Sequence, residues 1–256
     1  MTVMTTGTLV RRYVPREHGA WAMLLLPFVL GTWAGGWRPA CLVLLVAWLA
    51  AYGTAHYVDL ALKSRRTGRY RSPLLVWGGV LVVSGGASLW MAPWLALAVL
   101  FLLPFALVNA WFARKRNERY WLNGAVSATA ASLFVLAAYA VASGATSWAQ
   151  VLELPWVTAS QLLVLCWFYL VGSVLFVKTM IREAGDATYL RSSVAFHAVA
   201  VLVAGLIALP LVLPFAWYLA RAAVLPRRTM RPTQVGLLEI ISWLLLVVFA
   251  VAFVID

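Results

Sequence analysis

Nine apolar runs, at residues 19–36, 39–62, 73–90, 93–112, 121–143, 157–177, 193–209, 211–225 and 235–254, take up most of the 256-residue chain. A helix needs about 20 mainly apolar residues to cross the hydrocarbon layer, where no water is present to satisfy an open backbone amide. The runs are close to that length, and the links between them are too short for a soluble domain. The expected fold class is therefore all-α: a polytopic membrane helical bundle of about nine transmembrane helices. Residues 1–18 are expected to be a cytoplasmic N-terminal segment and residues 19–256 a single transmembrane domain. No convincing small-residue cleavage site follows the first run, which reads as a retained helix.

Composition agrees. The chain is 64% hydrophobic and only 11% charged, far from the balance of a soluble domain. A net charge of +12 would suggest nucleic acid in a soluble protein. Here no basic stretch is long enough to track a phosphate backbone, and nucleic acid is not an expected partner. Cys41 and Cys166 both lie inside apolar runs, which argues against a disulfide framework, and they lack metal-ligand spacing.

The basic residues instead report topology. Cytoplasmic loops collect Lys and Arg. With nine spans and the N-terminus inside, one side holds Arg11, Arg12 and Arg16, then Lys63, Arg65, Arg66, Arg69 and Arg71, then Arg114, Lys115, Arg116 and Arg119. Lys178, Arg182 and Arg191 follow, and finally Arg221, Arg227, Arg228 and Arg231. Only Arg38 falls outside. One long helix over 193–225 would move the last four to the wrong side, so a hairpin near Pro210 and Pro214 is expected. The chain is thus read as a multi-pass protein of the inner (plasma) membrane, N-terminus cytoplasmic and C-terminus extracytoplasmic. The fifth run is crowded with small residues (Gly124, Ala125, Ser127, Ala128, Ala130, Ala131), which suits close helix approach in lipid.

Polar side chains inside spans are expensive, so their depth is informative. His18, His56 and His197 fall near expected cytoplasmic helix ends, and Asp59 is one turn beyond His56 on the same face. Asn109, Asn123, Lys178, Arg182 and Glu239 lie at similar depth, with Lys63 and Arg71 just beyond the spans. Each alone could be an interfacial residue whose polar end reaches the headgroups. Together they suggest a cytoplasm-facing polar pocket. The catalytic candidates are His56, Asp59, His18 and His197. The substrate-binding candidates are Lys178, Arg182, Lys63, Arg71, Asn109, Asn123 and Glu239. Lys178 and Arg182 share a helix face and could clamp a phosphate or carboxylate. Basic segments follow both the second run (His56 to Arg71) and the sixth (Lys178 to Arg191), a duplication common where a site forms between repeats.

Three stretches carry a family resemblance: Arg16-Glu17-His18-Gly19-Ala20-Trp21, Phe176-Val177-Lys178-Thr179-Met180-Ile181-Arg182-Glu183 and Arg231-Pro232-Thr233-Gln234-Val235-Gly236-Leu237-Leu238-Glu239. They resemble the YwiC-like family of bacterial membrane proteins, which implies membrane location and little chemistry. More distantly, nine helices with polar loops after the second and sixth resemble the UbiA superfamily of membrane prenyltransferases. Those enzymes hold a prenyl diphosphate through magnesium on two Asp-rich motifs. Where the first motif carries four polar or acidic positions, this chain reads Ala55-His56-Tyr57-Val58-Asp59-Leu60-Ala61-Leu62-Lys63, and only Asp59 is acidic. Lys178 and Arg182 stand where the second motif has two Asp. Magnesium requires oxygen ligands, so no cofactor or metal is expected and the magnesium-diphosphate site is read as lost.

The resemblance implies a UbiA-like bundle whose partner is a membrane lipid, isoprenoid or otherwise anionic. If the protein is an enzyme, it would be a transferase acting on such a lipid. The alternative is a small transporter or proton-coupled membrane protein relaying protons through His18, His56, Asp59 and Glu239. A haem or metal protein built on the three histidines is a third reading, although no two of them are within a turn of each other on one helix.

Overall fold

A computed structural model of the chain describes residues 13–15, 18–64, 67–117 and 119–255. Arg11, Arg12, Arg16, Arg65, Arg66 and the side chain of His18 lie outside the described residues. The described elements are helical throughout: α1 (His18–Gly35), α2 (Ala40–Lys63), α3 (Arg71–Met91), α4 (Leu95–Arg114), α5 (Trp121–Ala142), a short α6 (Trp148–Glu153), α7 (Trp156–Ile181), α8 (Ala187–Ile207), α9 (Val212–Val224) and α10 (Pro232–Ala250), which ends in a π-helical turn at Val251–Ile255.

Eight of these helical stretches are long and apolar enough to cross a membrane. The first run corresponds to α1, whose 18 residues reach about 27 Å at 1.5 Å per residue, although the apolar part counted there, Met23–Gly35, is shorter. The outer faces make the membrane argument directly. On α3, Val82 and Val83 are each 74% exposed and Trp90 is 85% exposed. On α4, Val99, Leu100, Phe101 and Leu107 present their side chains outward in the same way. Such a belt is intolerable in water and matches lipid. The protein is an integral membrane protein.

The expected hairpin within 193–225 is present. Ala208 leaves helical geometry at φ −156° and ψ 130°, a 3-10 turn at Leu209–Leu211 carries Pro210, and α8 then packs back against α9. One expectation shifts. The seventh helix begins at Ala187, six residues before the apolar run, because Asp186 caps it by accepting hydrogen bonds from the amides of Thr188 (2.8 Å) and Tyr189 (3.0 Å). His197 is therefore ten residues into the helix, about 15 Å along it, and not at its start. Hydropathy missed the polar first turns, Thr188 to Ser193, which a capped helix end accommodates.

The small residues of α5 serve packing. α1 and α5 form one of the most extensive pairs, with α2 on α3 and α5 on α7 next to it. A Cβ added at Gly31 of α1 would stand 2.5 Å from the Val135 carbonyl oxygen and 2.8 Å from Ala138 Cβ. One added at Gly35 would press on the Tyr139 carbonyl and on Ala142 Cβ. Two glycines one turn apart thus lay one backbone onto another. Gly124 plays a similar part where α5 meets Val174 of α7.

Contacts at the two ends sort the loops. At the end holding Lys63, Arg114, Lys178 and Arg221, Arg116 Nη2 donates to the Lys63 carbonyl (2.9 Å) and Lys178 Nζ to the Arg119 carbonyl. At the opposite end, Arg38 Nε donates to the last-turn carbonyl of Ala142 (3.0 Å) and Trp94 Nε1 to that of Ala145 (2.8 Å). The single basic residue expected on the far side is thus spent on a helix C-terminus.

Candidate functional site

The principal buried polar cluster lies where α7, α9 and α10 meet, near the basic end. Glu239 is seven residues into α10, about 10 Å from its start. Its Oε1 accepts from Arg221 Nη1 of α9 at 2.5 Å. Its Oε2 accepts from Ser173 Oγ (2.5 Å) and Tyr169 OH (3.2 Å), both on α7, and the same phenol also donates to the Glu239 main-chain carbonyl (3.0 Å). Position i, i+4 on α7 puts Tyr169 and Ser173 on one face, so a single helix surface supplies both hydroxyls.

Arg221 is 2% exposed. Its guanidinium lies 4.5 Å from the Phe176 ring centroid and 5.2 Å from that of Tyr218, an aromatic seat that stabilises a desolvated cation. Phe176, Ala222 and Val235 form a small apolar cluster about it. Tyr218 is tied separately, donating to the Ser242 carbonyl at 2.7 Å. Yet Arg221 Nε and Nη2 have no hydrogen-bond partner. A buried polar group left open costs about 1–3 kcal/mol, and more when it is charged. Exposure is unequal across the ion pair: the Arg221 side chain is 1% exposed and that of Glu239 16%. The carboxylate stands between the guanidinium and the accessible surface.

His197 of α8 adjoins this cluster. It is 2% exposed; Nδ1 pairs with the Ser193 carbonyl at 2.7 Å, and Nε2 has no partner. Its ring rests on Gly172, where a Cβ would come within 3.0 Å of Nε2, and it is within electrostatic reach of Arg221. One turn of α7, Gly172 and Ser173, therefore separates His197 from Glu239.

The other residues selected from sequence are distributed as follows. His56 and Asp59 are half-buried on α2 and both engaged, with His56 edge-on to the Tyr57 ring at 5.1 Å. Lys63 closes the same helix, and Arg71 opens α3 exposed. Asn109 of α4 accepts from Ser127 Oγ at 3.3 Å, and that hydroxyl also donates to the Asn123 carbonyl at 3.0 Å, so these two asparagines are brought to one place. Lys178 is buried and tied to the Arg119 carbonyl, whereas Arg182, one turn on, is exposed. α2 packs chiefly on α3, and α7 on α5 and α8, so the His56–Asp59 face and the Lys178–Arg182 face belong to different packing groups. Among the described residues, no three of His, Cys, Asp and Glu are grouped so as to hold a metal ion.

Of the residues selected from sequence, the structure places Glu239 within the ionic cluster and His197 beside it. Arg221, Tyr169, Ser173 and Tyr218 are the members that sequence reading passed over. Arg221 was sorted with the loop cations, but it is flanked by Ala220, Ala222 and Ala223 inside an apolar run. That flanking distinguishes it from Arg227 and Arg228 and was the available signal.

Comparison with known proteins agrees on the family. The profile of the YwiC-like protein family matches residues 14–139. A Bacillus subtilis (strain 168) protein described as uncharacterized protein YwiC is 30% identical over 196 residues, covering 73% of this chain and 75% of its own. An uncharacterized protein from Haemophilus influenzae is 27% identical over 229 residues, covering 88% of this chain and 92% of its own. No solved structure matches. A family profile over the N-terminal half and a relative aligned across most of both chains lead to one conclusion: this chain belongs to the YwiC-like family.

Proposed function

We propose that this membrane protein binds the acidic head of an amphipathic lipid, isoprenoid or otherwise anionic, at Arg221 near its cytoplasmic end, with the tail between helices. The observation that carries the reading is the pair of unpartnered nitrogens on a buried guanidinium. A charged residue within a span marks function by default, and a planar fork with two open N–H groups fits a phosphate or carboxylate oxygen. The basic rim supports it: Arg227, Arg228 and Arg231 close the loop beyond α9, and Arg182 is exposed at the end of α7. The likeness of the basic loops to those of UbiA prenyltransferases, with cations in place of acids, supports direct contact without magnesium. Transfer chemistry on the bound lipid and a proton-coupled transport role are the further possibilities this site would serve.

The test is titration of protein in phosphatidylcholine nanodiscs with farnesyl phosphate, dioctanoyl phosphatidic acid and the neutral alcohol farnesol, read by native mass spectrometry. The acidic probes should bind and farnesol should not. Arg221→Lys keeps the charge but loses the fork, and should weaken binding at least about tenfold, or about 1.4 kcal/mol, in protein whose unfolding midpoint shows it folded. A chelator should change nothing. Equal binding of farnesol, or indifference to Arg221→Lys, would sink the proposal, and loss of binding on chelation would end its metal-free form.

Orientation is a separate expectation, drawn from the charge split. A reporter fused after Asp256 should be extracytoplasmic and one inserted near Arg228 cytoplasmic. Finding both on one side of the membrane would overturn it.

A further inference from the structure

We infer that an acidic head reaching Arg221 displaces Glu239 and that this exchange takes up one proton on the Glu239 carboxyl. The inference rests on the anionic-lipid reading above and adds the device that governs the site.

Charge balance makes the argument. Arg221 and Glu239 form a neutral unit inside the bundle, the cation almost fully enclosed and the carboxylate the more accessible of the two. Adding an anion to that unit leaves one uncompensated negative charge in a region of low polarity, which is strongly unfavourable. Protonating Glu239 restores neutrality, with Arg221 then paired to the ligand.

The surroundings of Glu239 accept either form. The two groups on its Oε2 are hydroxyls, Ser173 Oγ and Tyr169 OH, and a hydroxyl can donate to a carboxylate or accept from a carboxylic acid by rotating its hydrogen. A lysine or a backbone amide at those places could only donate. Arg221 is the single cation bonded to the carboxylate, so removing it removes the interaction that holds Glu239 ionised. Glu239 is faced by Arg221 and Tyr218 from α9 and by Tyr169 and Ser173 from α7. The other titratable groups on the helices packed against α10 are Cys166 and Lys178 of α7, and His18 of α1. Lys178 is engaged with the Arg119 carbonyl. His197, near Arg221 from α8, is the competing proton acceptor, and the test separates the two.

Dioctanoyl phosphatidylglycerol is the probe, because a phosphodiester keeps a fixed single negative charge across the working pH range. Full-length protein in phosphatidylcholine nanodiscs is titrated calorimetrically in buffers of different ionisation enthalpy. Wild type should take up about one proton per probe bound, and its affinity should fall about tenfold per pH unit once pH exceeds the titration point of the displaced carboxyl. Glu239→Gln keeps the shape and one acceptor oxygen but cannot gain a proton. It should bind the probe at least as tightly, with proton uptake near zero and a flat pH profile. Binding to wild type with no proton uptake would overturn the inference while leaving the lipid reading standing. Uptake that persists in Glu239→Gln would also overturn it, by assigning the proton to His197 or another group. No Arg221-dependent binding of the probe would overturn the lipid reading itself.

Discussion

Arg221→Met should lower the stability of the bundle by about 3–5 kcal/mol, the range for removing one partner of a buried ion pair. The reason lies less in the lost attraction than in what remains. Glu239 would keep its hydrogen bonds from Ser173 and Tyr169 but lose its only bonded cation, and at 16% side-chain exposure it reaches little water. The double variant Arg221→Met with Glu239→Met should recover most of the loss, because two flexible apolar side chains replace a desolvated pair whose net contribution is near zero. The measurement is SDS-induced unfolding of purified protein in micelles, with each single variant and the double compared as a thermodynamic cycle. A loss below about 1 kcal/mol in Arg221→Met would show that Glu239 finds solvent or a proton without cost, and the pair would then be a surface pair in effect. A double variant as unstable as the single would show that packing around Phe176 and Tyr218, rather than charge, requires the guanidinium.

The second large effect belongs to the α1–α5 seam. Gly31→Leu or Gly35→Leu should each cost about 3 kcal/mol or more, at the upper end of overpacking penalties. At both positions the first new atom already collides with backbone of α5, which cannot rotate away as a side chain would. Relief requires α1 to withdraw along much of its length, and α1 also packs on α7 and α10, so the disturbance would spread to the ionic cluster. Gly86→Leu on α3 is the matched control, since a Cβ there meets nothing within 4 Å; it should change stability by no more than about 0.5 kcal/mol. The readouts are the SDS unfolding midpoint and the yield of monodisperse protein. Unchanged stability in both α1 variants would mean that the helices are held apart by something other than these glycines.

How legible the molecule was depends on which force decides each feature. The number and order of apolar segments, the break near Pro210 and the gathering of cations at alternate links were all readable. They follow from hydropathy and backbone hydrogen bonding, which act locally along the chain. Helix ends were less so. α8 starts at an Asp186 cap, six residues before its apolar run, and a capping side chain is invisible to any hydropathy window. This is why His197 moved from an expected helix end to mid-helix.

The site shows the same division more sharply. Depth alone selected Glu239 and His197 correctly as residues worth attention, and equally selected His56, Asp59 and Arg182, which the packing sends elsewhere. Depth is a one-dimensional quantity, whereas adjacency depends on which helix lies beside which and at what rotation. Arg221 and Arg227 are six residues apart with the same charge, yet one is enclosed against Phe176 and Tyr218 and the other marks a loop. The sequence by itself determined a membrane bundle with one basic end, because transfer free energy and charge bias add residue by residue. Only the tertiary structure decided that Arg221 meets Glu239 beside two hydroxyls, because that meeting depends on how α7, α9 and α10 are rotated against one another by their packed faces.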